Sequence, residues 1–449
     1  MQMPQPDAGI LGRRKAIVAR LAAALPADGL VSDPRELLAY DCDALTVYSC
    51  PPLAVALPRT TQEVAAVMRI CHDEGAPVIP RGSGTGLAGG ALPTADAVVL
   101  GVARLNAVLE TNYADRYVRV QSGRTNLSVT GAVEADGFFY APDPSSQLAC
   151  AIAGNIAMNS GGAHCLKYGV TTNNLLGVTM VMADGEIVEI GSAAMDAAGY
   201  DLLGVICGSE GQLGVVTEAT LRILHKPEGA RPILVDKPII HLTENFVGAG
   251  YPMDAEALLI IEVEGSPAEI DEQLTRIKAI AQTHNPTTLR ESASETQSKA
   301  IWAGRKAAFG ATGQVADYLC MDGTIPTSAL PETLGRMTQL AADYGLRVAN
   351  VFHAGDGNLH PLIMFDANDP EELRKAEALG ADILRLCVEQ GGCLTGEHGV
   401  GVEKRDLMVH QYDPVDLDAQ MGVKDVFDPR WILNPAKVFP LAASHGRGA

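Results

Sequence analysis

The stretch that most restricts how this chain folds is Arg81-Gly82-Ser83-Gly84-Thr85-Gly86-Leu87-Ala88-Gly89-Gly90. It closes a β-α-β pattern: a short strand over residues 53–57, a helix opened by Thr60 and Glu63 at capping-box spacing, and a strand over residues 77–80. The helix carries Val64, Val67, Met68 and Cys71 on one face and stops near Gly75. Gly84, Gly86 and Gly89 spell G-x-G-x-x-G, yet a Rossmann turn is excluded. That fingerprint opens a helix inside the motif and sets an acid ~20 residues on. Here the glycines run into Ala91-Leu92-Pro93, the next element is a strand over residues 97–102, and Arg104 stands where the acid belongs. A glycine-rich loop between two strands instead offers a row of backbone N–H groups to an anion such as a pyrophosphate. Arg81 adds positive charge.

The pattern continues with a strand over residues 117–121 and a helix over 126–135. Ala141-Pro142-Asp143-Pro144-Ser145-Ser146 is a rigid turn rich in side-chain oxygens. Residues 154–162 read as a short helix closed by Gly161-Gly162. A strand over 175–183, the turn Asp184-Gly185 and a strand over 186–190 follow, then a second small-residue loop, Gly208-Ser209-Glu210-Gly211-Gln212-Leu213-Gly214. A strand over 219–224 ends the region, and Pro227 marks a boundary. Beyond it the glycine loops give way to ordinary α/β patterning. Helices are expected over residues 267–282, 300–309, 328–344 and 370–390, and strands over 258–264 and 317–322.

Within the second half, residues 348–365 read VANVFHAGDGNLHPLIMF, two apolar runs around Gly355-Asp356-Gly357-Asn358. Asp-Gly between such runs signals a hairpin. A two-residue turn at Asp356-Gly357 sets His353 opposite His360, with Cβ atoms ~4.5–5.5 Å apart. Two imidazoles so placed converge on a metal ion, and Glu397-His398 in GEHGVG is the candidate source of a further ligand.

Composition narrows the function classes. Lys plus Arg number 34 against 54 Asp plus Glu, a net charge of -20, which argues against nucleic acid or an anionic membrane surface as partner. The nine cysteines are scattered with no Cys-x-x-Cys, which points to a reduced, cytoplasmic protein and offers no iron–sulfur run. Arg13-Arg14-Lys15 precede an apolar stretch that Arg20 interrupts, so residues 14–25 read as an amphipathic helix and not a signal peptide. No apolar run approaches the ~20 residues of a transmembrane span.

RGSGTGLAGG, PDPSS, GGAHCLKYG, GSEGQLGVVTE, HAGDGNLH and GEHGVG, in that order, resemble the vanillyl-alcohol-oxidase-type flavoproteins. Within them the chain is similar to the FAD-linked D-2-hydroxyacid dehydrogenases, and DYLCMDGTIP and RVANVFHAGDGNLHP look most like the flavin subunit of bacterial glycolate oxidase. The resemblance implies an α+β fold: a two-part FAD-binding domain over 1–228, an α+β cap with an antiparallel sheet over 229–395, and a C-terminal segment, 396–449, returning to the flavin. It also implies that the cap is shortened between Val235 and Asp236 by ~30 residues, about one strand–helix unit.

For the site, the resemblance assigns FAD to Arg81, Gly82, Ser83, Gly84, Thr85 and Gly86, with Pro142, Asp143, Ser146, Gly154, Asn159, Gly162, Glu210, Gly211, Val216 and Asn434 around it. Relatives with covalent flavin carry a histidine in the loop where Thr85 stands, so FAD is expected to bind non-covalently. His353, His360 and Glu397 would hold a divalent ion. Zn²⁺ is the ion a His₂Glu set suggests, with Mn²⁺ and Fe²⁺ compatible. His398 would be the base and Arg305 the partner of a substrate carboxylate. Some relatives acting on dicarboxylates carry a lysine where Cys320 stands, which points to a small monocarboxylate: glycolate first, D-lactate second. The expected partners are an iron–sulfur subunit and a second flavin-binding subunit, with attachment to the inner membrane only through them. A non-catalytic FAD-binding scaffold and a direct oxidase are the alternatives.

Overall fold

The computed structural model describes residues 3–194, 199–236, 258–286 and 288–444. The chain divides into two compact units, Met1–Leu224 with Leu394–Ala449, and His225–Cys393. The C-terminal segment therefore packs within the first unit.

Two larger sheets organise that unit. In the first, β1 (Leu30–Val31), β2 (Ala54–Ala56), β3 (Val78–Arg81) and β4 (Val98–Gly101) run in the order β1-β2-β4-β3, with β2, β4 and β3 parallel. Helix α1 (Thr61–Glu74) covers it, and Val64, Val67, Met68 and Cys71 are all fully buried, each worth roughly 1.5–3 kcal/mol where aliphatic. The Thr60 side chain accepts from the Glu63 N–H at 3.1 Å, as the capping-box spacing predicts. The reciprocal bond lands one residue early: the Glu63 carboxylate accepts from the Arg59 N–H at 2.6 Å.

The second sheet is antiparallel, β5 (Val108–Asn112), β6 (Tyr117–Gln121), β7 (Leu175–Val181), β8 (Ile187–Gly191) and β9 (Val215–Arg222), in the order β5-β6-β9-β7-β8. Along β9, Val215, Thr217, Ala219 and Leu221 point into the core, the period of two that a half-buried strand requires. Helix α2 (Ile152–Met158) adds Ile152 and Ile156 to the same core. Its closure differs from the expected glycine pair: Asn159 takes the left-handed conformation (φ 50°), and its N–H bonds back into the last turn. Asparagine is among the few side chains that tolerate that region.

In the second unit, β10 (Gly229–Asp236) pairs antiparallel with β11 (Leu258–Gly265) over their full length, and β12 (Arg290–Glu291) flanks β10. The expected deletion point, Val235–Asp236, lies inside the continuous strand β10; residues 237–257 lie outside the described residues. Helix α3 (Pro267–Gln282) starts at a complete Ser266–Glu269 capping box and packs Ile270 and Leu274 against Val263. Helix α4 (Glu295–Gly313) is nearly twice the length expected, because Ser294 caps it well upstream. The other sheet, β13 (Asp317–Cys320), β14 (Arg347–His353) and β15 (Asn358–Phe365), has the order β13-β15-β14 and is covered by α5 (Leu330–Tyr344) and α6 (Pro370–Glu389). Every residue of central β15 is buried.

Candidate active site

In the first unit the glycine-rich loop leaves the C-terminal end of β3. Arg81 turns back beneath it, donating from Nη1 to the Cys42 carbonyl at 2.6 Å, its guanidinium carbon 5.8 Å from the Tyr40 ring centre. A Cβ on Gly84 (φ 73°) would overlap that guanidinium, so only glycine lets the loop lie over it. Among the described residues, the N–H groups from Gly82 to Gly86 find no acceptor within the chain. A run of undonated N–H groups above an arginine fits a pyrophosphate. Gly82 packs against Gly154 and Ala151. The wall beyond Gly86 is Asp43, whose carboxylate accepts from the Leu45 and Ala91 N–H groups and whose pKa burial raises.

The other residues expected around FAD, with Glu397 and His398, lie in the same unit. Glu210 (5% exposed, φ 53°) accepts from the Val400 N–H at 2.6 Å and the Gly401 N–H at 2.8 Å. Its carboxylate thus clamps the GEHGVG loop; burial raises its pKa and the two N–H groups oppose the rise. Gly211 lies against Pro80. Asn434 donates from Nδ2 to the Gly90 and Glu210 carbonyls at 3.0 and 2.6 Å, while its buried Oδ1 has no partner, an acceptor suited to a ligand N–H. Asn159 accepts from the Thr172 N–H at 2.9 Å, so its side chain holds the neighbouring turn. The Pro142 carbonyl accepts from Asn126, Ser146 starts the turn that Cys150 closes, and Val216 is half-buried on β9. Asp143 bonds the His164 ring at 2.8 Å, and a Cβ on Gly162 would collide with the Asp143 backbone. Half-buried Glu397 sets one carboxylate oxygen against Gly161, at 2.9 Å from where a Cβ would stand, with His398 next to it.

Sequence reasoning missed Lys437, which is fully buried and donates to the Pro435 carbonyl at 3.3 Å. Burial pulls its pKa down to about 7; Arg405 adds to the fall, and Asp43, Glu210 and Cys50 oppose it. Between about pH 7 and the unfolded value of 10.5, the unfolded chain keeps a proton that the folded chain has shed. Stability from this group therefore rises with pH across that window, by about 1.4 kcal/mol per unit at most. Denaturant midpoints measured from pH 7 upward should show that rise in the parent and lose it in Lys437→Met; matching profiles would count against it.

In the second unit the hairpin departs from expectation. His353 pairs with Asn358, and His360 with Val351. The connection is the four-residue loop Ala354–Gly357, because the Asp356 carboxylate accepts from the Asn358 N–H at 3.1 Å and the Gly357 N–H returns to the His353 carbonyl. The two histidines are thus diagonal on one face, not directly opposed. They still meet, with ring centres 5.3 Å apart at 90°. His360 is 2% exposed, with Nε2 3.4 Å from Oδ1 of fully buried Asp322, which also accepts from Asn358 Nδ2 at 3.1 Å. The contact is electrostatic and not a hydrogen bond; it sets a buried carboxylate beside the His360 ring. The donor chemistry of the pair fits a divalent ion. Asp322 carried no spacing signal in the sequence. Arg305 lies half-buried on α4, one turn beyond Trp302, which donates to Glu262 at 2.6 Å.

A family model described as an FAD binding domain matches residues 52–191, and one described as the C-terminal domain of FAD linked oxidases matches 215–438. The glycolate oxidase subunit GlcD of Escherichia coli strain K12 is 44% identical over 456 positions, covering 95% of this chain and 91% of the relative. Those positions outnumber the chain's 449 residues, so the relative holds residues with no counterpart here. GlcD of Bacillus subtilis is 35% identical (90% and 92% covered), and a D-lactate dehydrogenase of Anaerostipes hadrus 31% (88% and 91%). Two solved structures share the fold: 4-ethylphenol oxidase from Gulosibacter chungangensis (TM-score 0.78, 15% identity, 97% and 99% covered) and p-cresol methylhydroxylase with substrate bound (0.74, 16%, 98% and 99%).

An α+β chain of vanillyl-alcohol-oxidase type with an FAD-binding unit is an FAD-linked oxidoreductase. This chain belongs to the FAD-linked oxidase family, on the branch of the 2-hydroxyacid dehydrogenases.

Proposed function

We propose that the chain oxidises a small 2-hydroxy monocarboxylate, glycolate in preference to D-lactate, to the 2-oxo acid. The observation that carries this is the His353–His360 pair on one face of the hairpin, backed by Asp322. The reaction removes a proton from the hydroxyl and a hydride from the carbon. When bound, FAD supplies the two-electron acceptor, and a divalent ion on His353, His360 and Glu397 supplies Lewis acidity. His398 takes the hydroxyl proton and Arg305 pairs with the carboxylate. Cys320, 4% exposed and short, offers no cation to a second carboxylate. FAD is held without a covalent bond, since the loop around Thr85 carries no histidine. Zn²⁺ suits the ligand set best.

Electrons leave to an iron–sulfur subunit and a second flavin-binding subunit; the Escherichia coli and Bacillus subtilis relatives are themselves named as subunits. The working site is the cytoplasm, at the inner membrane through those partners. Among the described residues no helix is long and apolar enough to cross a membrane.

The test is anaerobic mixing of FAD- and metal-loaded protein with glycolate or D-lactate while following the visible flavin absorbance. Bleaching by both acids, faster with glycolate and lost after chelation, is expected. Bleaching indifferent to chelation would remove the metal role. None with either acid, FAD being bound, would favour the scaffold alternative, which the residues lacking here relative to GlcD make worth separating.

A further inference from the structure

The Glu397–His398 pair leads into a turn that one lysine folds back over. The whole turn lies in the first unit, with Glu210. Lys404 is fully buried. Its backbone N–H donates to the Val400 carbonyl at 3.0 Å, and its ammonium reaches one residue further back, to the Gly399 carbonyl at 2.9 Å. The Gly399 carbonyl and the Val400 N–H belong to one peptide group. Glu210 Oε1 accepts from that N–H at 2.6 Å. A single peptide group is thus gripped by a cation at its oxygen and by an anion at its N–H, the two charges its dipole favours. Hydrogen bonds to charged groups are roughly twice as strong as neutral ones.

This peptide group lies one residue beyond His398. The residue between them is closely packed: a Cβ on Gly399 (φ 83°) would stand 2.8 Å from Met158 Sδ and 2.9 Å from the Glu210 carboxyl group. The far end of the turn is tied elsewhere. The Val402 and Glu403 N–H groups donate to the Ala88 carbonyl at 2.9 and 3.2 Å, and the Gly401 carbonyl accepts from the Val438 N–H at 2.9 Å. The end beside His398 is fixed by Lys404 and Glu210 together. Burying an ammonium is costly. Glu403 Oε2 at 3.0 Å offsets the charge, and Lys404 helps hold down a Glu210 pKa that burial raises and the Val400 and Gly401 N–H groups lower. Charge balance asks only for proximity, whereas the bond to the Gly399 carbonyl sets a direction.

We propose that Lys404 is a positioning residue for His398: its ammonium locks the Gly399–Val400 peptide group and so fixes the backbone from which the imidazole projects. This role rests on the reading of His398 as the base.

Two variants separate donor from charge. Lys404→Gln keeps an N–H donor and loses the charge; Lys404→Met loses both. Anaerobic bleaching of the FAD- and metal-loaded chain by glycolate should reach a limiting rate ~10²-fold lower in Lys404→Met, at a half-saturating concentration within about twofold of the parent's. Lys404→Gln should recover about tenfold or more of that loss. Amide hydrogen exchange, followed by mass spectrometry on FAD-loaded protein without substrate, gives a reading independent of turnover. It should quicken by about tenfold or more across residues 396–403 in Lys404→Met, stay near the parent's in Lys404→Gln, and be unchanged across β6 and β9 in both. Parent-like exchange across 396–403 in Lys404→Met, or a Lys404→Gln as slow as Lys404→Met, overturns the proposal and leaves Lys404 as a counter-charge to Glu210 and Glu403. If Lys404→Met does not fold, Lys404→Gln decides alone: parent-like rate and exchange support the proposal, and a loss of ~10²-fold with FAD retained overturns it. A parent that bleaches with neither acid defeats the oxidation reading, and the exchange comparison still decides whether Lys404 holds the loop.

Discussion

Flavin reduction by a 2-hydroxy acid should slow by ~10²–10⁴-fold in His398→Ala, the loss expected of a missing general base. That equals about 2.7–5.5 kcal/mol of activation free energy. His398 sits in a loop that Glu210 holds by both carboxylate oxygens through the N–H groups of Val400 and Gly401. A Cβ on Gly399 (φ 83°) would press on the Glu210 carboxyl group and on Met158, so the backbone beside the imidazole has little freedom. On the proposed reading of His398 as the base, truncating it removes proton transfer without losing the site around it. Anaerobic stopped-flow bleaching measures the effect, with FAD content and unfolding midpoint as controls. A reduction rate near the parent's, with FAD retained, would reassign His398 to packing.

Lys424→Met should cost about 3–5 kcal/mol of stability, the range for breaking a buried ion pair from one side. Lys424 is 1% exposed and its ammonium is fully used, donating to the Gln212 carbonyl, the Asp428 carboxylate and the Leu433 carbonyl, each at 2.9 Å. Burial lowers its pKa, and Asp428 opposes the fall. Asp428 in turn accepts from the N–H groups of Ile432 and Leu433 at 3.1 and 2.8 Å. These bonds bend the chain so that Ile432 and Asn434 bond Val78 on the edge of β3 and Asn434 reaches Gly90 and Glu210. Losing the lysine leaves a buried carboxylate without its cation and loosens that return. Denaturant unfolding should show the loss, FAD content should fall, and Lys424→Met with Asp428→Asn should recover part of it. A midpoint close to the parent's in the single variant would show that the pair contributes little beyond what a packed methionine supplies.

Local rules carried far where the signal was short-range. The α1 face, the strand–loop–strand setting of the glycine loop, the Ser266 capping box and the glycine that ends α5 all follow from neighbours a few residues apart. Where two local devices competed, spacing alone chose wrongly. Asp356-Gly357 reads as a two-residue turn, but the Asp356 side chain makes its own bond to Asn358 and widens the loop by two residues, moving the histidines from directly opposed to diagonal. Asn159 closes α2 before the glycines are reached, and Ser294 starts α4 before its apolar pattern is plain.

The sequence by itself determined the kind of chemistry available: a run of N–H donors, two histidines on one hairpin, a glutamate–histidine pair between glycines and, through six ordered motifs, the family. Only the tertiary structure decided which groups hold that chemistry in place. Asp43 and Lys437 lie far apart in sequence, as do Lys424 and Gln212, and Asp322 and His360. Their partners are chosen by burial. A charge that loses its water must find a counter-charge or a hydrogen bond within a few ångströms, and the fold supplies it from whatever distance along the chain.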